Sequence, residues 1–208
     1  IIDITRLDAE AFIFNRPLDG WNTINVTDMS WTFHEARQFN EPLDNWNTAS
    51  VNTLEYSFSE AGSFNQNINN WDVTQVTNMS GTFSYTSRFD RPLNNWDVTI
   101  VTDMSGMFQG SGFNQPIANW EVGNVTNMSA MFRESLFNHS IEIWNVSEVM
   151  DMSFMFHRHK TFNHPLNNWD VSNVTNLASM FDGWAWGAIY NQPLNTWDVS
   201  NVTNMNYM

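Results

Sequence analysis

Large apolar residues recur along this chain at fixed offsets from a tryptophan. Trp21, Trp46, Trp71, Trp96, Trp120, Trp144, Trp169 and Trp197 are separated by 25, 25, 25, 24, 24, 25 and 28 residues. Seven positions before each stands an aromatic, from Phe14 to Phe162 and Tyr190, and three before it a Leu or Ile, from Leu18 to Leu194. A Val follows five positions after, from Val26 to Val202. A Met or Leu comes eight after, from Met29 to Met205, and a second Phe twelve after, from Phe33 to Phe181. A period in the twenties with apolar residues held in register is the pattern of a repeat solenoid, in which each coil buries its large side chains against its neighbours. The expected fold is a single solenoid domain over residues 1–208, about eight coils of 24–28 residues centred on the eight tryptophans.

Within a coil, the segment from Leu/Ile through W-x-V alternates in a way that suits a short strand. The M-S-x-M-F segment, as in Met104–Phe108, has helical spacing and suits one helical or 3-10 turn. Pro17, Pro42, Pro92, Pro116, Pro165 and Pro193 share one column and mark a bend or strand entry, since proline has no amide to donate. From the second Phe of one coil to the first aromatic of the next the steps are 6, 6, 6, 5, 5, 6 and 9, so all the length variation falls on this loop face. Insertions in such stacks collect on a face that can bulge into solvent, often the binding face. The longest, Asp182 to Ile189, carries Trp184 and Trp186 outside the repeat rule. These two are the candidate binding residues, because exposed aromatics are common interface anchors; folding of the insertion back onto the stack is the alternative.

Charge removes whole classes of partner. A net charge of −14, a pI near 4.4 and only eight Lys and Arg leave no cationic track for phosphates. No apolar run reaches the length of a membrane span. Cysteine is absent, which excludes disulfides and thiol chemistry. The chain begins at Ile1 without Met, and both ends stay in register with the repeat, so a window cut from a longer array is expected.

Polar columns accompany the apolar ones. One, from Asn15 to Asn191, follows the first aromatic, and another runs through Asp28, Asn78, Asp103, Asn127, Asp151, Asn176 and Asn204. They read as side chains bonding turn backbone along the stack; a calcium ladder is the alternative, since Asp and Asn oxygens are hard ligands. His157, His159 and His164 lie close in sequence, and His139 and His164 share a column. Their column-mates are exposed and variable, so no metal site and no catalytic residues are expected. The repeated Trp reads as core rather than as a sugar platform. Eight N-x-S/T sequons, Asn25 and Asn201 among them, arise from the repeat itself.

The motif F-N-x-P-L-x-x-W-D-V-S-x-V-T-x-M-x-x-M-F, nearly whole in Phe89–Phe108 and Phe162–Phe181, resembles the bacterial surface protein 26-residue repeat. That family is also described as a mycoplasma lipoprotein repeat of unknown function, related to BspA-like leucine-rich repeats. The resemblance implies a leucine-rich-repeat-like right-handed solenoid, on a cell surface or secreted, with a role in adhesion or protein binding and with no catalytic residues or cofactors. The lipoprotein Cys is missing. The expected function is therefore a non-catalytic surface or secreted module whose partner is a protein or glycan. A structural component of an extracellular filament, sheath or wall, self-associating through its ends, is the alternative. Ice binding through the column Thr27, Thr77, Thr102, Thr126, Thr175 and Thr203 is a remote one.

Overall fold

The computed structural model describes residues 12–183 and 189–208. The inward residues of each repeat lie mostly three apart, and this spacing builds the chain as a succession of four-residue turns. In the fourth repeat the Trp96 amide donates to the Leu93 carbonyl, Val101 to Val98, Met107 to Met104 and Ser111 to Phe108, all at 3.0–3.2 Å. An apolar residue at both ends of a turn puts both side chains on the inner side of the bend. The segment Leu93-x-x-Trp96-x-Val98, expected as a strand, is therefore broken by turns. Strand pairing lies instead two residues past the Val column, as isolated parallel bridges that run Asp28, Thr53, Asn78, Asp103, Asn127, Asp151, Asn176, Asn204. Among the described residues there is no helix, and the M-S-x-M-F segment is two successive turns.

The amides of 104–111 account for this segment completely. Met104, Gly106, Phe108 and Gly110 donate to carbonyls of the next repeat, those of Asn127, Ser129, Met131 and Arg133. Between them, Met107, Gln109 and Ser111 donate three residues back, and Ser105 donates to Asp103 Oδ1 at 2.8 Å. No amide is left orphaned, as burial requires. Sending every second amide along the stack has a backbone consequence: the third residue of alternate turns takes φ near +60°. These positions are Trp31, Tyr56, Gly81, Gly106, Ala130, Phe154, Ser179 and Tyr207, with a second set at Glu35, Glu60, Tyr85, Gly110, Glu134 and Arg158. A β-carbon there costs roughly 1–2 kcal/mol.

The core is the sum of the apolar columns. Residues of one column stack on the next repeat: Trp46 and Trp71 lie 6.3 Å apart and 1° from parallel, and Phe58 and Phe83 5.7 Å apart. Within a repeat junction the two Phe columns meet face to face, as Phe83 and Phe89 do at 4.2 Å. From Trp46 to Trp169 the column tryptophans are buried. Each donates Nε1 to the Leu or Ile carbonyl of the preceding repeat, at 3.1 Å from Trp96 to Ile68. The indole thereby buries its ring without leaving its one donor unpaired.

Candidate functional site

Most outward polar columns are spent on holding repeat to repeat. Asn40, Asn65, Asp90, Asn114 and Asn138 each donate a backbone amide to the side-chain oxygen one repeat earlier, at 2.8–3.1 Å. In the bridge column, Asp103, Asn127 and Asp151 cap the amide two residues on, and Asn176 Nδ2 donates to Asp151 Oδ2 at 3.0 Å. The threonine hydroxyls follow suit: Thr102 donates to the Thr77 carbonyl and Thr126 to that of Thr102, both at 3.2 Å. In the W-D-V-T/S turns, hydroxyl and amide bonds from Thr74, Thr99 and Ser172 hold the carboxyls of Asp72, Asp97 and Asp170 below the usual carboxylate range. Two shallow clefts of about 270 and 300 Å³ lie over these turns, beside Asp97 and Glu121 and beside Asp170 and Asp198. No group of three potential metal ligands comes together among the described residues.

The face formed by the left-handed positions and the loop after the second Phe of each repeat, here called the turn face, behaves differently. Its left-handed columns carry whatever side chain each repeat supplies, and the glycines make room for neighbouring rings. A Cβ on Gly81 would lie 2.3 Å from the Tyr56 ring, and one on Gly110 2.5 Å from that of Tyr85. Trp31 stacks on Tyr56 at 4.4 Å. At the other end of the face, the Arg133 guanidinium lies 5.7 Å from the centre of the Phe154 ring.

Loop length then shapes the surface. Where the step shortens from 6 to 5, a Cβ on Gly112 would meet the Ser87 carbonyl oxygen at 2.2 Å, so the two loops close on each other. Where it lengthens again, between Phe132–Phe137 and Phe156–Phe162, a cleft of about 290 Å³ opens, lined by Glu134, Ser135, Leu136, Arg158, Lys160 and Thr161. Arg158 pairs with Glu134 at 3.2 Å, and the Arg133 Nε stands 3.6 Å from the same carboxylate. Leu136 is 59% exposed and Phe154 37%. The signal for this site was present in the step lengths, but it emerges only when two adjacent loops are compared.

The histidines divide. His139 and His164, on successive repeats, each bond a carbonyl of the preceding repeat, Asn114 at 2.9 Å and Asn138 at 3.1 Å. His157 and His159, which do not share the column of His139 and His164, are buried, at 8% and 5% exposure. His159 occupies the column of Ser111 and Ser135, whose hydroxyls accept the amide of the following Phe. With one more residue in its loop, the longer imidazole reaches the Phe162 amide through Nδ1 at 3.2 Å. Its Nε2 is buried without a hydrogen-bond partner among the described residues, and burial, against a weaker upward pull from the Phe137 backbone, lowers the pKa of the ring to about 4. Burial, then Arg133 and Arg158, also lower His157, against the pull of Asp182, whose carboxylate is 3.7 Å away, and of Glu134.

Trp184 and Trp186 lie outside the described residues. The loop before them is tied to its neighbour through the Arg158 amide, which donates to the Asp182 carbonyl at 2.8 Å. No helix among the described residues is long and apolar enough to cross a membrane.

No match is found among curated proteins or among solved structures. The profile of the Mycoplasma protein of unknown function family, DUF285, matches twice, over residues 3–112 and 109–208. The two matches together take in nearly every repeat, and the chain belongs to this family.

Proposed function

We propose that the chain is a right-handed, leucine-rich-repeat-like solenoid acting as a non-catalytic recognition module at a cell surface or outside the cell, with a protein or glycan bound on its turn face. The observation that carries this reading is the uneven use of the outward side chains. On the other sides, most Asn, Asp, Thr and Trp groups are committed to bonds between repeats, with the exposed Ile143 and Met150 of the sixth repeat as exceptions. On the turn face, the left-handed columns and the loops display Trp31, Tyr85, Leu136, Phe154 and Arg158, which differ from repeat to repeat. A surface that changes while the stack beneath it stays constant is what a recognition protein needs. Trp184 and Trp186 belong to the longest loop on the same face in sequence and are the first residues to test. The soluble chain, with a W184A/W186A variant beside it, is applied to an array of matrix proteins and glycans. Binding weakened in the variant supports recognition through this face. Absence of binding by the parent chain, with filaments in the same sample by electron microscopy, overturns the reading in favour of a structural role.

A further inference from the structure

We propose that the cleft between loops 134–136 and 158–161 docks an acidic peptide segment bearing one carboxylate beside one apolar side chain. This deepens the recognition reading and rests on it. Charge is the first argument. The whole chain has eight Lys and Arg against twenty-two Asp and Glu, yet Arg158 and Lys160 line this cleft and Arg133 adjoins it, with Glu134 as the one acid in the lining among the described residues. Arg158 and Arg133 both approach that carboxylate, at 3.2 and 3.6 Å, and the Asp182 carboxylate lies against the neighbouring His157 at 3.7 Å, so the cluster holds three cations against two acids. An incoming carboxylate meets net positive charge here and repulsion over most of the remaining surface. That contrast fixes where and in which register an acidic partner lands.

The apolar residues are the second argument, because both stand at positions that other repeats fill with glycine or polar residues. Leu136 stands in a column otherwise held by Ile13, Gln38, Ser63, Arg88, Gly112, Thr161 and Ile189, so the repeat accepts polar residues and glycine at this point as readily as apolar ones. Phe154 takes a left-handed position that Gly81 and Gly106 fill without strain. Both side chains remain substantially exposed beside the cations. A partner that covers Leu136 with an aliphatic or aromatic side chain, while a neighbouring carboxylate reaches Arg158 and Lys160, uses both features together. At about 290 Å³ the cleft suits one or two side chains of an extended segment.

The test applies the full chain to an array of octapeptides in three compositions: Glu or Asp next to Leu, Ile or Phe; the same peptides with Lys for the acid; and the same acids with Ser for the apolar residue. Acidic glycans share the array. Binding is expected to the first composition alone, falling by about tenfold or more in R158E/K160E and severalfold in L136S, with circular dichroism confirming that the variants remain folded. Equal binding to the Lys peptides, undiminished binding by both variants, or binding confined to the glycans overturns the proposal. Matrix-protein binding that survives R158E/K160E removes the cleft while leaving the recognition reading standing. A parent chain that binds nothing on either array removes both.

Discussion

The fourth repeat, 89–108, and the sixth, 137–156, are nearly identical inside and unlike outside. Their inward residues correspond one for one, from Phe89, Leu93, Trp96, Val98 and Val101 to Phe137, Ile141, Trp144, Val146 and Val149, and all are buried. Outward, Arg88, Asn95, Thr102 and Gly106 of the fourth are replaced at and beside the sixth by Leu136, Ile143, Met150 and Phe154, all four exposed. Packing thus constrains one set of columns tightly and the other hardly at all. Each repeat must fit the interior shape of its neighbours, whereas its rim meets only solvent or a partner.

The sharpest way to break this comparison is to cut the shared interior. Trp96→Ala and Trp144→Ala each remove a buried indole and its bond to the preceding repeat, to Ile68 at 3.1 Å and to Ile117 at 3.2 Å. Each is expected to cost about 3–5 kcal/mol in urea denaturation. The two values should agree within about 1 kcal/mol. A clear difference between them would show that the two interiors are not equivalent after all.

Acid separates the two repeats next. Three residues past its last Phe, the sixth is followed by His159 where the fourth is followed by Ser111. The folded imidazole titrates near 4 against 6.5 when unfolded, and burial is the cause. Above pH 6.5 the ring is neutral in both states and contributes no pH dependence. As pH falls from 6.5 towards 4 the unfolded chain takes up a proton that the folded one refuses, so stability declines, by up to about 3 kcal/mol, and levels off below. H159S carries the residue of Ser111 into the sixth repeat and should flatten that part of the stability–pH curve relative to the parent. An unchanged slope would mean that His159 is protonated while folded.

Exchanging an outward pair is a milder test. Gly106 has φ +60°, and a Cβ there would meet only the Gln109 side chain, at 3.5 Å. G106F meets no obstacle at its β-carbon and is expected to cost about 1–2 kcal/mol, chiefly from backbone strain. The reverse change, F154G, relieves that strain but loses the contacts with Arg133 and with the His157 ring, 5.4 Å away, so the two effects offset and stability should shift by less than about 1 kcal/mol. Thermal melts of the two variants give both numbers. A large loss in F154G would place Phe154 among the packing residues.

What could be read in the sequence follows the same inside–outside division. Trp96, Val101, Met104 and Phe108 announce their burial because each has counterparts at the same offset in seven other repeats or nearly so. The course of the backbone between them is less visible. Trp96-Asp97-Val98 alternates like a strand, but the Val101 amide closes a turn onto the Val98 carbonyl, and alternation over three residues does not reveal that bond. Gly81, Gly106 and Gly110 hint at the left-handed columns, and Trp31, Tyr56 and Phe154 conceal them, because large residues at positive φ run against ordinary preference. The cleft was hardest to see. Arg133, Arg158 and Lys160 gather only because a four-residue loop lies beside a five-residue one, a property of the pair that neither repeat contains.

The smallest effect is also the most discriminating for the rim. Asp97 of the fourth repeat accepts bonds from the hydroxyl and amide of Thr99, and these hold its carboxyl below the usual range. In the sixth repeat the same position is Asn145, whose Oδ1 accepts the Ser147 amide at 3.2 Å. The turn therefore needs an oxygen at this point and not a charge. D97N should leave stability at neutral pH unchanged within about 0.5 kcal/mol. A carboxyl with a depressed folded pKa stabilises above its unfolded pKa, and that contribution is lost as pH falls through the folded value. The variant should therefore lose a small acid-side slope that the parent shows below about pH 4. Urea midpoints at pH 7 and pH 3 measure both quantities. A marked loss at pH 7 would mean that the charge itself supports the turn, and that the polar rim is as tightly specified as the interior it covers.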